Sequence, residues 1–404
     1  MIALSRRMVM TGAASSFALI STFGHARSRA SSALPGMLNV KNFGAVGNGI
    51  VDDTSAMQAA HNSGRVIYYP AGNYKFSTLQ IASGGLIGEG TASAAFAGTG
   101  ATVLTSTDTT SADAILYTGN SATGGSPIFR DFALLVNQGR KSSGAGLRLS
   151  PNNPATNTLQ AAKIENVLIR YFPSLLVLEN CSGFTIMNCK LFFYSVAAIT
   201  LSNNLRPDCG DGSIYGCEIF NGNGAQWASR GVGILQYNSG GLKISSNKFN
   251  GGLHGYLLNL TKQTSDTLFL NNSFENISGV SIAFKNNANA ASNPVRYNNV
   301  VITGNQFSGN KRDIYFEQIA NYYNLSYWDT ISISGNTFYF PASTAPCIEL
   351  ASARAFFISG NSLNGNGTGA IPIQIDASCY NGSVGSNGIA FFTNGNLVVN
   401  NSKL

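Results

Sequence analysis

Ile302-Thr-Gly-Asn305-Gln-Phe307 returns as Ile333-Ser-Gly-Asn336-Thr-Phe338 and again as Ile358-Ser-Gly-Asn361-Ser-Leu363. Working backwards, the same shape reads Phe269-Leu-Asn-Asn272-Ser-Phe274, Ile244-Ser-Ser-Asn247-Lys-Phe249, Ile214-Tyr-Gly-Cys217-Glu-Ile219 and Ile186-Met-Asn-Cys189-Lys-Leu191. Ile164-Glu-Asn166-Val and Phe129-Arg-Asp131-Phe extend the series with a looser frame. Successive anchors lie 23 to 35 residues apart, and a fixed motif with variable spacers is the signature of a solenoid. On either side of each anchor, apolar and polar residues alternate, which is strand periodicity. The anchor itself falls in the turn between two strands.

Stacking explains the asparagine. In a parallel β-helix each coil lies about 4.8 Å from the next. An inward-turned Asn can pass amide hydrogen bonds to the Asn of the next coil and satisfy buried turn amides. Cys189 and Cys217 occupy this position on adjacent coils. Their Cα atoms should lie near disulfide distance, and a stacked pair of buried thiols is the expectation.

Composition agrees. The chain has 404 residues, 44% apolar and only 11% charged, with 45 glycines, which suits many short strands joined by turns rather than Glu- and Lys-rich helices. No linker follows residue 40, so residues 34–404 are expected to form one elongated domain. The six cysteines, at 181, 189, 209, 217, 347 and 379, contain no C-x-x-C pair, and no zinc site or cofactor is expected.

Ahead of the repeats, Asn39 to Gly64 reads NVKNFGAVGNGIVDDTSAMQAAHNSG. Val40 and Phe43 alternate like a short strand, and Gly44, Gly47 and Gly49 break it. Asp52, Asp53 and Thr54 are N-cap types, and Ala56, Met57, Ala59 and Ala60 follow at helical spacing. A short one-faced helix cannot stand alone, so it must cover the end of the solenoid, where bare strand edges invite aggregation. These residues, with Val66-Ile-Tyr-Tyr-Pro-Ala-Gly-Asn-Tyr-Lys-Phe76 and Gly85-Leu-Ile-Gly-Glu-Gly90, resemble the N-terminal cap and first coil of the pectate-lyase-like right-handed β-helix superfamily. That superfamily includes polysaccharide lyases, glycoside hydrolases, alginate epimerases and phage tailspikes. The resemblance covers about fifty residues and implies an all-β fold: a single right-handed parallel β-helix with a short N-terminal capping helix. It implies a polysaccharide partner, as a monomer or homotrimer. It names no reaction, since those relatives run different chemistries on one scaffold.

Residues 1–33 read as an export signal. Ser5-Arg6-Arg7-Met8-Val9-Met10 is a twin-arginine pattern, and the apolar run from Thr11 to Phe23 is too short to span a bilayer. Residues Gly24-His25-Ala26 offer small residues for cleavage. A periplasmic or secreted bacterial protein is expected, with no membrane attachment once the signal is removed. Removing Arg6, Arg7, Arg27 and Arg29 takes the formal net charge from +7 to +3. No basic patch studded with aromatics suggests a nucleic acid.

The strand before the long loops predicts an outer face. Ile282, Ile314 and Ile348 align, as do Phe284, Phe316 and Leu350, and these point inward. Alternation then places Ser281, Ala283 and Lys285, Asp313, Tyr315 and Glu317, and Cys347, Glu349 and Ala351 outside. Glu317, Glu349 and Asp313, with Tyr315, are the candidate catalytic residues. Glu317 and Glu349 stand one coil and two residues apart, roughly 8 Å at the backbone. An inverting glycosidase separates its carboxylates by roughly 6.5–9.5 Å to admit a water. Lys285 and Arg312 are candidate substrate contacts. So are Tyr322, Tyr323, Tyr327 and Trp328 in the aromatic-rich loop after Glu317, because aromatic rings stack on sugar faces.

Two other constellations compete. His254 beside Tyr256 could serve as base and acid in β-elimination from a uronic acid, but Tyr256 shares the inward parity of Leu258 and Leu260. Asp208 and Asp211 could be catalytic or hold calcium, yet Asp211-Gly is also plain turn chemistry. The Asn-Thr-Asp, Asp-Asp and Gly-His-Gly pattern of pectin hydrolases is missing, as is the Asp cluster of calcium-dependent pectate lyases. The expected function is therefore polysaccharide hydrolysis. Elimination on an acidic polysaccharide and non-enzymatic, tailspike-like attachment are the alternatives.

Overall fold

The computed structural model describes residues 37–91, 100–110, 112–120, 122, 125–136, 143–153, 157–202, 210–222, 230–260, 264–286, 296–319, 326–339, 344–365, 371–390 and 398–399. One coil shows the plan. Arg296–Thr303 forms a strand, the chain bends at Gly304-Asn305, Gln306–Ser308 forms a second, and Arg312–Phe316 forms a third after a turn at Gly309-Asn310. The next coil repeats it with Tyr327–Ser334, Thr337–Tyr339 and Ile348–Leu350. Every strand pairs in parallel with its counterparts above and below, which gives three sheets parallel to the stacking axis. The first and second sheets are continuous round the Asn bend as a 24-stranded assembly; the third has 12 strands. Lys163–Arg170 makes the continuity plain: Lys163–Glu165 pairs with one neighbour and Leu168–Arg170 with another. The expected all-β parallel β-helix is what is seen.

The bend repeats because two positions in it are chemically specified. The residue before the anchor has a left-handed backbone: Asn188 (φ 54°), Gly216 (64°), Ser246 (56°), Asn271 (54°), Gly304 (67°), Gly335 (64°) and Gly360 (66°). Gly and Asn pay least for that conformation, which is why they recur there. The anchor turns inward and forms the ladder. The Nδ2 of Asn247, Asn272, Asn305, Asn336 and Asn361 donates to the Oδ1 of the next Asn at 2.9–3.0 Å, ending at Asn387. The same Oδ1 accepts the backbone N–H of the preceding anchor, so one side chain satisfies two donors. Leaving such buried groups unpaired costs about 1–3 kcal/mol per rung. Cys217 and Cys189 continue the column as free thiols that donate to carbonyls of Tyr215 and Met187. In the first two segments the frame slips by one. Asp131 and Asn166 hold the left-handed position (φ 62° and 49°), and Phe132 and Val167 take the ladder position.

Inside, like residues stack. Phe249, Phe274, Phe307 and Phe338 form a near-parallel column with centroids 4.6–5.2 Å apart. At the corner between the second and third sheets that column leaves little room. A Cβ on Gly233 would stand 2.9 Å from Phe249, and one on Gly255 2.6 Å from Phe274.

At the N-terminal end, helix α1 (Thr54–His61) buries Met57, Ala60 and His61. The strand expected through Val40 and Phe43 is instead a 3-10 turn, closed by Gly44 at φ 97°. Asp52 caps as expected, accepting the Thr54 N–H at 2.9 Å. Asp53 does something else: its buried carboxylate accepts the N–H groups of Val46 and Gly47, clamping the glycine turn to the helix start.

Candidate functional site

The third sheet presents its outward residues in columns running along the stacking axis. One column reads Leu116, Arg148, Val177, Thr200, Leu235, Leu257, Ala283, Tyr315, Glu349 and Gln374, each the register partner of the next. Beside it, Val232, His254, Val280 and Arg312 form a second. On the other side Asn259 and Lys285 form a third, which Glu317 continues through its N–H to the Phe284 carbonyl. Tyr315, Glu317, Glu349, Lys285 and Arg312 therefore share one outer face, as the sequence pattern implies.

Their electrostatics are unsettled. Arg312 Nη1 lies 3.4 Å from Glu349 Oε2, and its guanidinium stands 4.7 Å above the Tyr315 ring. Glu349 is only 21% exposed, and its Oε2 takes no hydrogen bond among the described residues. Burial pushes the Glu349 carboxyl up; Arg312 opposes this, and the charge of Asp376 adds to it. Burial, then the charges of Glu317 and Glu349, push the Tyr315 hydroxyl up. Glu317 Oε2 accepts the backbone N–H of Asn286 at 3.1 Å. Lys285 makes no ion pair among the described residues.

His254 joins this face instead of forming a separate site. Its Nδ1 lies 3.2 Å from the Val280 N and 3.3 Å from the Val280 carbonyl oxygen, which fixes the ring against that strand. Burial, reinforced by Lys285, lowers its pKa to about 4. The sequence names His254 but sets it apart; register places it on this face, two coils below Arg312 in one column. Asp376, whose charge reaches Glu349, was missed; Ile373 and Ile375 aligned on Ile348 and Leu350 would have placed it.

Several expected site residues lie elsewhere. Asp313 is not outside: it is 3% exposed, and Ser281 and Cys347 are buried with it. The register passes from Val280–Arg312 to Ile282–Ile314, and the residues between them fill the corner where the second sheet turns into the third. A bend there lets two successive residues face inward, which simple alternation misses. Tyr256 is fully buried and donates to Gln236 Oε1 at 2.5 Å, so it is a core residue. Trp328 is not a surface platform. It begins the inward column of the next coil, register-paired with Tyr297 and Ala353, and its Nε1 donates to the Glu317 carbonyl at 2.8 Å. Tyr327 is buried against the guanidinium of Arg354, 3.9 Å from its ring centroid, with Arg296 at 5.2 Å. Asp211 sits in a left-handed turn (φ 50°) that leads into a first-sheet strand. Asp208, Tyr322 and Tyr323 lie outside the described residues. Among the described residues no three His, Cys, Asp or Glu side chains gather to hold a metal, and no helix is long and apolar enough to cross a membrane.

The comparisons fit this architecture. Residues 153–338 match the family described as "Right handed beta helix region". No curated protein sequence matches the chain. Among solved structures, it is similar to the A-module of the mannuronan C-5 epimerase AlgE4 from Azotobacter vinelandii (18% identity, TM-score 0.65), covering 91% of this chain and 98% of that one. It is also similar to the catalytic unit of a GH87 α-1,3-glucanase from Streptomyces thermodiastaticus (15% identity, TM-score 0.60; 92% and 68% covered). A third is the Dettilon tailspike protein (16% identity, TM-score 0.56; 88% and 68% covered). At these identities the likeness is one of fold, and the chain is a right-handed parallel β-helix protein.

Proposed function

We propose that the outer face of the third sheet binds a polysaccharide and hydrolyses its glycosidic bonds. The observation that supports this most directly is the Glu317–Glu349 pair. The two carboxylates lie on one outward face, one coil and two residues apart, in different environments. Glu349, half-buried with its carboxyl pushed up, is the group suited to protonate the leaving oxygen. Glu317, held by the Asn286 N–H, is the group suited to activate water. The backbone separation of about 8 Å leaves room for that water. Arg312, Tyr315 and Lys285 line the same face as contacts for sugar hydroxyls or carboxylates. The epimerase and the glucanase support a glycan as the substrate class, and the N-terminal twin-arginine pattern supports export to the periplasm or beyond.

Elimination on a uronate is the second reading, because His254, Lys285 and Arg312 share that face and could serve as base and carboxylate contacts. Incubating the purified protein with a panel of neutral and acidic polysaccharides tests both. New reducing ends without the ultraviolet absorbance of an unsaturated uronate support hydrolysis. That absorbance supports elimination. Binding with neither product overturns the enzymatic reading in favour of an attachment module.

A further inference from the structure

The corner column beneath the third sheet is apolar through most of its length: Gly146, Leu175, Ala198, Gly233 and Gly255 occupy it, and all are buried. Then it changes character. Ser281, Asp313 and Cys347 follow on three successive coils, also buried. Asn310 Nδ2, from the turn just before the strand, donates to Asp313 Oδ1 at 2.9 Å, while Ser281 and Cys347 lie within hydrogen-bonding reach of the same carboxyl. Among the described residues no Lys or Arg acts on it; the side chain of Arg312, its neighbour in sequence, goes to the outer face against Glu349. A carboxylate removed from water without a cation is expensive, and such groups take up a proton instead.

We propose that Asp313 is a proton-operated positioning residue: protonated, it sits uncharged in the buried corner among Ser281, Asn310 and Cys347 and lets the strand Arg312–Phe316 pack in place, and loss of the proton leaves a buried charge without a cation that loosens that strand together with Arg312 and Tyr315 on its outer side. The inference rests on the inner corner and holds whatever reaction the outer face performs. Burial places the transition at about 7, against hydrogen bonds from Asn310, Ser281 and Cys347 that favour the charged form. The proton leaves to solvent, and nothing else is exchanged. The same contact pushes the Cys347 thiol up, by burial first and then by Asp313.

The sign follows from linkage. A carboxyl whose folded pKa is raised contributes stability that is complete below its unfolded pKa and is lost as pH rises towards the folded one. Between about pH 4 and about pH 7 the folding equilibrium constant should fall up to tenfold per pH unit, then level off. The test is urea unfolding from pH 4 to 9 (roughly the span that brackets both values) for the wild type and Asp313→Asn, in which the amide keeps the shape without a charge. The ratio of wild-type to variant folding constants should decline across that window; a ratio independent of pH overturns the proposal. Hydrogen exchange on the wild type supplies a second reading should Asp313→Asn not fold. After correction for intrinsic rates, Arg312–Phe316 should lose at least tenfold more protection between pH 5 and pH 8 than Gln306–Ser308 of the same coil. Equal losses in the two segments overturn it.

Discussion

Arg148 and Glu349 occupy the same outward column of the third sheet, seven coils apart, yet their surroundings differ in one decisive way. Arg148 is saturated: Nε meets Asp113 at 2.7 Å and Nη1 meets Glu179 at 2.6 Å, one cation shared by two carboxylates on the flanking coils. Around Glu349 the contacts are longer and the ledger of donors is short. Arg312 stands 3.4 Å away, Oε2 takes no hydrogen bond among the described residues, and Asp376 adds a like charge. Both clusters are partly shielded from water. A network with every group paired rigidifies the coil that carries it, whereas incompletely satisfied groups carry shifted protonation equilibria. The difference separates a charged cluster that holds the solenoid from one available for chemistry.

Removing the carboxyl from Glu349 tests that separation hardest. Glu349→Gln should lower turnover on a cleaved polysaccharide by about 10²–10⁴-fold, the usual contribution of a general acid. The thermal midpoint should hold or rise slightly, since an incompletely paired carboxyl has been removed. Unchanged turnover would eliminate Glu349 as the acid. Glu317→Gln comes next, with a loss of about 10²-fold in turnover and little change in the Michaelis constant, as expected for a group used in the transition state. Full activity in this variant would leave the water without its assigned base.

Arg312→Ala has a smaller effect with a definite direction. Arg312 opposes the upward push on the Glu349 carboxyl, so its removal should move the alkaline limb of the pH–rate profile to higher pH. Turnover at the optimum should fall by about tenfold through lost substrate contact and lost positioning. A limb that stays put while activity falls would show that Arg312 acts on the substrate alone.

The contrast between these clusters was partly readable in the sequence, for reasons that differ residue by residue. The phase of Tyr315 and Glu349 was legible because Ile314 and Phe316, and Ile348 and Leu350, bracket them with inward apolar residues. The anchor of each coil was legible from Asn247 onward because a ladder needs one residue type at one position. Where Phe132 and Val167 replace it, the nearest polar residue misleads by one. Asp313 was placed outside because alternation holds only along a straight strand, and this strand is entered through a corner. Trp328 read as a surface platform because its neighbours in sequence are tyrosines, but the strand of the next coil already begins at Tyr327, one residue before the indole. The saturation of Arg148 could not be read at all. Asp113 and Glu179 lie 35 residues before it and 31 after it, and only coil register brings them together.

The smallest expected effect on activity belongs to Arg148, and it is the sharpest control for that reason. Arg148→Met keeps the length of the stem and removes the cation shared by Asp113 and Glu179, leaving two carboxylates 14% and 27% exposed without it. Stranding partly buried charges costs more than an exposed ion pair is worth, but solvent reaches both groups, so a loss of about 1–3 kcal/mol in unfolding free energy is expected. Activity per folded molecule should match the wild type, since seven coils at about 4.8 Å place Arg148 some 34 Å from Glu349 along the axis. Urea unfolding and a turnover measurement below the melting transition check both statements. A variant that unfolds normally but turns over slowly would mean that the glycan-contacting face extends the whole length of the sheet, and the division between a holding cluster and a reacting cluster would fail.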